Sequence, residues 1–456
     1  MKIHPHDVLL QELAAGLAGE ARTLKHLTGC AACRERIRFL LAHGTGLPGK
    51  TSKAVFPGSR WPAPDYGAVF DRAEEVLRVR HAALEKERAE AVRLLAELLG
   101  RTPEKREMLL RNHRRFQTWG LLELLAERSH EVRLHAPAQG EELGHLALVL
   151  ADSLDTVYYG AERIEDLRAR VWGQIANHRR AISDFLGAEE AFSKAFTHLQ
   201  NGTADVMERA VLLDLRASLF RDQRRFAEAE RLLERARRIF LQIGEKQRAG
   251  RSLVNLSTVY EHAVAPERAI QALSEALKLI DPERDPRLFL AARHNLITNL
   301  AEAGRFMEAH GLFIQSRPLY ARFSDGWTQN RRRWIEGRIA RGLGQSAEAA
   351  SLLRAARDGF VVEGVAYDTA LVSLDLALIY AEQGQTAELR RIAEEMIPVF
   401  SSRQIHREAL AALSLWAGAV REEQASRDLV VRVASYLKRA RHNPELRFEE
   451  PVTAEA

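Results

Sequence analysis

The stretch HLTGCAAC, residues 26–33, holds the only two cysteines of the 456-residue chain, with a histidine four residues ahead of the first. On a helix His26, Cys30 and Cys33 share one face. An imidazole and two thiolates so placed form a tetrahedral zinc donor set that lacks one ligand. His4 and His6, 22 and 20 residues upstream of His26, are the candidates for the fourth. With four protein ligands Zn2+ has no open position and is structural or regulatory. With only three, a water completes the set and hydrolytic chemistry becomes available. A thioredoxin-type reading of Cys-x-x-Cys needs βαβ surroundings. Haem attachment needs a histidine after Cys33, where Arg34 stands.

A second stretch with the right residue types is GTGLPGKT, Gly44 to Thr51, which fits the phosphate-cradling pattern G-x-x-x-x-G-K-[ST]. A working cradle sits between a buried strand and a helix whose N-terminus faces the phosphates. Here CRERIRFLLAH precedes it at helical spacing, and Pro57, Pro62 and Pro64 follow it and forbid a helix. The match is therefore read as part of a Gly/Pro linker with no nucleotide site, and a P-loop NTPase using 44–51 is the alternative. No Ser/His/Asp constellation assembles elsewhere, so the chain is expected not to be an enzyme.

The elements that must position these residues are helices. Leu, Ala, Glu and Arg dominate, apolar residues recur at steps of three and four, and no alternating strand pattern stands between turn residues. Hydrophobic residues make up 46% and charged residues 28%, an ordinary soluble balance. There is no apolar run long enough to span a membrane. The opening MKIHPHDVLLQE carries charge where a secretory signal is apolar, and two cysteines are too few for a disulfide scaffold, so a cytoplasmic location is expected. The net charge of +5 comes from 67 basic and 62 acidic residues, which reads as solvated helix faces. The clusters RNHRRF and NRRRW have aromatic neighbours, which leaves a nucleic-acid-binding regulator as a further alternative.

The strongest large-scale signal is a repeat. Phe185, Ala188, Phe192, Ala195 return as Phe226, Ala229, Leu233, Ala236, then Pro266, Ala269, Leu273, Ala276. Phe306, Ala309, Phe313, Ser316 and Ser346, Ala349, Leu353, Ala356 follow, with Thr386, Leu389, Ala393, Met396 as a looser sixth copy. The period is 40 residues after a first step of 41. Nine residues before each copy stands Ala176, Ala217, Ser257, Ile297, Gly337 or Ala377, with turn signals such as EAGRF, GLGQS and EQGQT between. Each unit is then a helical hairpin with small residues at its crossing, and units must stack to bury their apolar faces.

These stretches, RRFAEAERLLERARRIF and GRFMEAHGLFIQSRPLY among them, resemble tetratricopeptide repeats with longer helices than the usual 34-residue unit. The resemblance implies an all-α superhelical solenoid that binds proteins or peptides. HPHDVLLQELAAGLAGEARTLKHLTGCAACRERI in turn resembles the zinc-binding anti-sigma module. That resemblance carries the ligand roles over to His26, Cys30 and Cys33, favours His4 over His6 as the fourth ligand, and implies a sigma factor as a possible partner.

The organisation read from the chain is a zinc-binding helical module over 1–43, a Gly/Pro-rich linker over 44–65 and a helical region with an imperfect repeat over 66–160. The solenoid covers 161–442 and an acidic tail 443–456. The first helices of the repeats should line the solenoid's inner wall. Arg170, Gln174, Asn177, Arg251, Asn255, Asn295, Arg331 and Arg338 fall there, a polar and net positive set suited to an acidic or C-terminal carboxylate peptide. The expected function is that of a non-enzymatic regulatory or adaptor protein: the solenoid docks a partner and the zinc module binds or regulates.

Overall fold

A computed structural model describes Cys30, Cys33, Glu35 and residues 67–132, 136–400, 413–414, 416–420, 427–440 and 446–448. Among the described residues there is no strand. The Gly44–Thr51 stretch, the linker and His4, His6 and His26 lie outside them. Cys30 and Cys33 are described, and both are buried, with Cys33 in helical conformation. None of the described helices is long and apolar enough to cross a membrane.

The chain divides into two compact units. The first, Met1–Leu212 with Gln242–Glu245, contains α1 (Gly67–Leu99), α2 (Pro103–Asn112), α3 (Trp119–Glu131), α4 (Pro137–Ser153), the single turn α5 (Thr156–Tyr159), α6 (Ala161–Ala181) and α7 (Phe185–Asn201). α1 packs on α3, α3 on α4, α4 on α6 and α6 on α7. Glu87 of α1 ties the start of α3 to α5: it accepts from the Trp119 amide at 2.8 Å and from the Tyr159 hydroxyl at 2.9 Å. Gly120 lets these helices meet, because a Cβ there would stand 2.5 Å from the backbone of Glu87.

The second unit, Leu213–Leu241 with Lys246–Ala456, begins within α8 (Val206–Asp222). It continues with α9 (Phe226–Gln242), α10 (Lys246–His262), α11 (Pro266–Leu279), α12 (Pro286–Glu302), α13 (Phe306–Ala321), α14 (Gly326–Gly342) and α15 (Ser346–Val362). α16 (Ala366–Glu382), α17 (Thr386–Phe400) and α18 (Arg427–Ala440) complete it. Each repeat read from the sequence is one hairpin, and the marker residues stand at the crossings. Ala188, Ala229, Ala269, Ala309 and Ala349 are fully buried, as are Ala176, Ala217, Ser257, Ile297 and Ala377 on the facing helices. At such crossings the backbones approach so closely that a Cβ on Gly337 would lie 2.9 Å from the Leu353 side chain. The space around these crossings is filled by Leu233, Phe240, Leu273, Phe313, Tyr320, Leu353 and Phe360, all buried.

Every hairpin turns the same way. Ser183, Arg224, Val264, Gly304, Gly344 and Gly384 have positive φ at equivalent positions. In each turn the amide of the next residue bonds back to the helix, as Ala265 does to the Tyr260 carbonyl at 2.9 Å and Gln345 to that of Ala340 at 2.9 Å. Aspartates cap the helices that follow: Asp285 accepts from the Leu288 amide and Asp325 from that of Thr328, both at 2.9 Å. Second helices of successive repeats are linked by ion pairs, Arg237–Glu275 and Arg357–Glu395 at 2.7 and 2.8 Å among them.

Candidate functional site

Within the second unit successive first helices, α10 with α12, α12 with α14 and α14 with α16, approach backbone to backbone; successive second helices do not come as close. The first helices therefore lie on the inside of the curve and share one wall.

That wall is held by polar bonds that run from one repeat to the next. Asp214 of α8 accepts from the Ser252 hydroxyl at 2.7 Å and the Asn255 amide at 2.8 Å, both on α10. Glu261 of α10 accepts from the Asn299 amide of α12 at 2.7 Å. Glu302, at the end of α12, pairs with Arg338 of α14 at 2.7 Å and with Lys438 of α18 at 2.9 Å. Asp375 of α16 takes the indole N–H of Trp334 at 2.7 Å and lies 3.7 Å from Arg338. One guanidinium thus joins α12, α14 and α16. At the edge of the wall Arg341 pairs with Glu382 at 2.7 Å and Arg251 with the capping Asp285 at 2.9 Å.

Burial sets the charge states along this row. Asp214 and Glu261, half-buried and held mainly by neutral donors, are pushed up from the usual carboxylate range by partial loss of hydration. Burial alone would raise Glu302 as well, but the Arg338 and Lys438 cations outweigh it and hold the carboxyl down to about 2. His294 is pushed well below its ordinary value by burial and then by the charges of Arg331 and Arg338. It is neutral, and its Nδ1 shares a 2.8 Å hydrogen bond with the Tyr320 hydroxyl.

The eight residues expected on the wall fall on first helices in both units. In the first unit Arg170 pairs at 2.8 Å with Glu208, a carboxylate that is itself buried. Gln174 is half-buried and its Oε1 meets no hydrogen-bond donor among the described residues, and Asn177 accepts from Arg180 at 3.0 Å. In the second unit Arg251, Asn255 and Arg338 are bonded as above. The backbone carbonyl of Asn295 receives the Asn299 amide, and Arg331 lies 4.7 Å from the centre of the Trp327 ring. The positive balance expected of this surface is met by acids that sequence reasoning passed over: Glu208, Asp214, Glu261, Glu302 and Asp375. Each stands on a first helix 36 to 41 residues from the donor it meets on the neighbouring first helix, so only the repeat period could have pointed to it. Trp334 and Lys438 were passed over too. Among the described residues no cluster of His, Cys, Asp and Glu could hold a metal ion.

Comparison with known proteins agrees with this architecture. A Rap protein complexed with competence and sporulation factor superposes with a TM-score of 0.51 at 12% identity, over 68% of this chain and 85% of that one. The apo form of RapI gives 0.52 at 11% identity, over 78% and 98%. Aspartyl phosphate phosphatase F from Bacillus subtilis gives 0.49 at 11% identity, over 88% and 96%. At such identities the likeness to the two Rap structures is one of fold. No curated protein matches the sequence. Residues 208–281, which span α8 to α11, match the tetratricopeptide repeat family, so the hairpins there are tetratricopeptide repeats within a helical solenoid.

Proposed function

We propose that this protein is a non-enzymatic adaptor or regulator that docks a protein or peptide on the first-helix wall of its repeats. The observation that carries the reading is the row of inter-repeat bonds through Asp214, Glu261, Glu302 and Asp375, which holds a polar wall in one geometry before any partner arrives. Arg251, Asn255, Asn295, Arg331 and Arg338 would meet the partner in the second unit, and Arg170, Gln174 and Asn177 in the first. Their guanidinium and amide groups suit a segment carrying carboxylates or a free C-terminus. Of the similar folds, one was solved with a competence and sporulation factor bound, which supports a binding role for a wall of this kind.

The test is a pull-down with the full chain, with residues 66–456, and with an Asn295→Asp/Arg331→Glu variant. A partner retained by 66–456 and lost with the double substitution supports docking on the wall. A partner retained by the double variant refutes it.

We further propose that His26, Cys30, Cys33 and His4, or His6 in its place, hold a structural Zn2+ and that this module regulates or binds, with a sigma factor as one partner of that kind. The spacing of the ligands and the burial of both cysteines support this. The expected result is one zinc per chain by elemental analysis, lost in Cys30→Ser. Zinc-free wild-type protein purified in zinc-supplemented medium would refute it.

A further inference from the structure

Helix α18 does not simply extend the stack. It packs on α16, where the Tyr367 hydroxyl donates to the Leu437 carbonyl at 2.6 Å. Val430, Val433, Ala434, Leu437 and Ala440 form its buried stripe, at the three- and four-residue spacing of an amphipathic helix. Its two ends reach different repeats: Arg427 pairs with Glu382 at the end of α16 at 3.3 Å, and Lys438 with Glu302 at the end of α12. Glu302 and Glu382 hold the same repeat position two periods apart.

The contacts run the helix obliquely over the wall, back along α16 from Glu382 at its end toward Tyr367 at its start, with Lys438 reaching Glu302 of α12. At about 1.5 Å per residue the rise from Arg427 to Lys438 is about 16 Å. Two steps between packed helices span about 16–20 Å. The wall changes character beneath it. Arg331, Trp334 and Arg338 of α14 are succeeded one period later by Leu371, Leu374 and Leu378 of α16. All three leucines are buried in the same core as the stripe of α18. From Ala370 to Tyr380 no residue of α16 is exposed, so this first helix has no face left to solvent.

We propose that α18 is a tethered occupant of the inner wall, seated where a partner's amphipathic helix binds, and that a helix with an apolar stripe and two cations eleven residues apart exchanges with it at Glu302 and Glu382. This rests on the wall being a docking surface. It adds that the α12–α16 end reads a cationic helix, whereas the Asn255, Asn295 and Arg331 side faces carboxylates. Access to the apolar floor then depends on the release of α18, and the partner competes with a segment held beside the site at high effective concentration.

The experiment uses a fluorescein-labelled peptide of residues 425–442, the full chain, and the full chain with Arg427→Glu and Lys438→Glu. The double variant should bind the peptide at least tenfold more tightly than the wild type, because its own helix now faces like charges while the wall is unchanged. A peptide carrying the same two reversals should bind neither chain measurably. Equal affinity of both chains for the native peptide, or equal binding of the reversed peptide, overturns the proposal. Hydrogen exchange on the wild-type chain covers the case of a variant that fails to fold. Excess native peptide should speed exchange in α18 and leave α14 unchanged, and no change in α18 overturns the proposal. Failure of this exchange while Asn295→Asp/Arg331→Glu still releases a captured partner would remove the tethered occupant and leave the docking wall standing.

Discussion

Arg338→Met tests the bond that joins three repeats. The arginine side chain is 16% exposed and that of Asp375 8%, so both charges are largely withdrawn from water. Methionine keeps most of the stem's packing and removes only the guanidinium. Severing a buried pair outright costs about 3–5 kcal/mol, because the remaining charge is left bare. Here neither carboxylate is: Glu302 keeps Lys438 at 2.9 Å, and Asp375 keeps the Trp334 N–H at 2.7 Å. The expected loss is therefore about 2 kcal/mol, near that of a charge-assisted hydrogen bond and its partial desolvation. Urea unfolding followed by circular dichroism at pH 7 measures it, and a cycle with Asp375→Asn should return a coupling of about 1 kcal/mol. The pH dependence has a fixed sign. Glu302 is held at about 2 against an ordinary value of 4.5, so its contribution is complete above the higher value and is lost as pH falls through the lower one. The gap between wild type and Arg338→Met should be constant from pH 5 to 8 and shrink below about 4.5. A stability change of less than about 0.5 kcal/mol, or a gap that widens in acid, would show that this guanidinium does not join the repeats.

Three other outcomes follow from the same structure. Val264→Gly should stabilise the chain by about 1 kcal/mol, read as a raised Tm: a β-branched residue at φ 57 carries strain, the residue is 72% exposed, and glycine's freedom when unfolded cancels only part of the gain. Gly337→Val should cost about 1–3 kcal/mol in urea, since its Cβ meets Leu353 at 2.9 Å and 3.0 Å and the Ala349 carbonyl at 3.4 Å. Asp214→Ala should cost about 1–3 kcal/mol by leaving the Ser252 and Asn255 donors unmet, and Asp214→Asn about half of that, because one acceptor oxygen remains.

The phase of the repeat was open to reading because a helix crossing imposes its own demand: Ala217 and Ala229 are fully buried, and where Leu353 meets Gly337 only a small residue fits. The turns were half open. Gly304, Gly344 and Gly384 announce a left-handed position, whereas Ser183, Arg224 and Val264 occupy the same position with side chains that disguise it. That Arg170, Arg251, Asn295 and the other expected residues fall on first helices could be read from helical spacing alone. Their partners could not, because Asp214, Glu261 and Asp375 meet donors on the next repeat at offsets set by how two helices cross. Nor does any local pattern reveal that α18 turns back onto α16, since its amphipathic stripe would serve an ordinary closing hairpin equally well.

The two sets of inter-repeat bonds give the second unit a directional elasticity. On the inside, Asp214, Glu261 and Asp375 are bonded in a poorly hydrated seam, where a broken bond leaves a stranded polar group. On the outside, Arg268–Glu230, Arg237–Glu275 and Arg357–Glu395 each have at least one partner well exposed to water, where parting and re-pairing cost little. Thermal bending should then pivot about the inner seam while the outer rim lengthens and shortens. A bound segment would feel a template of nearly constant length on a body that flexes behind it.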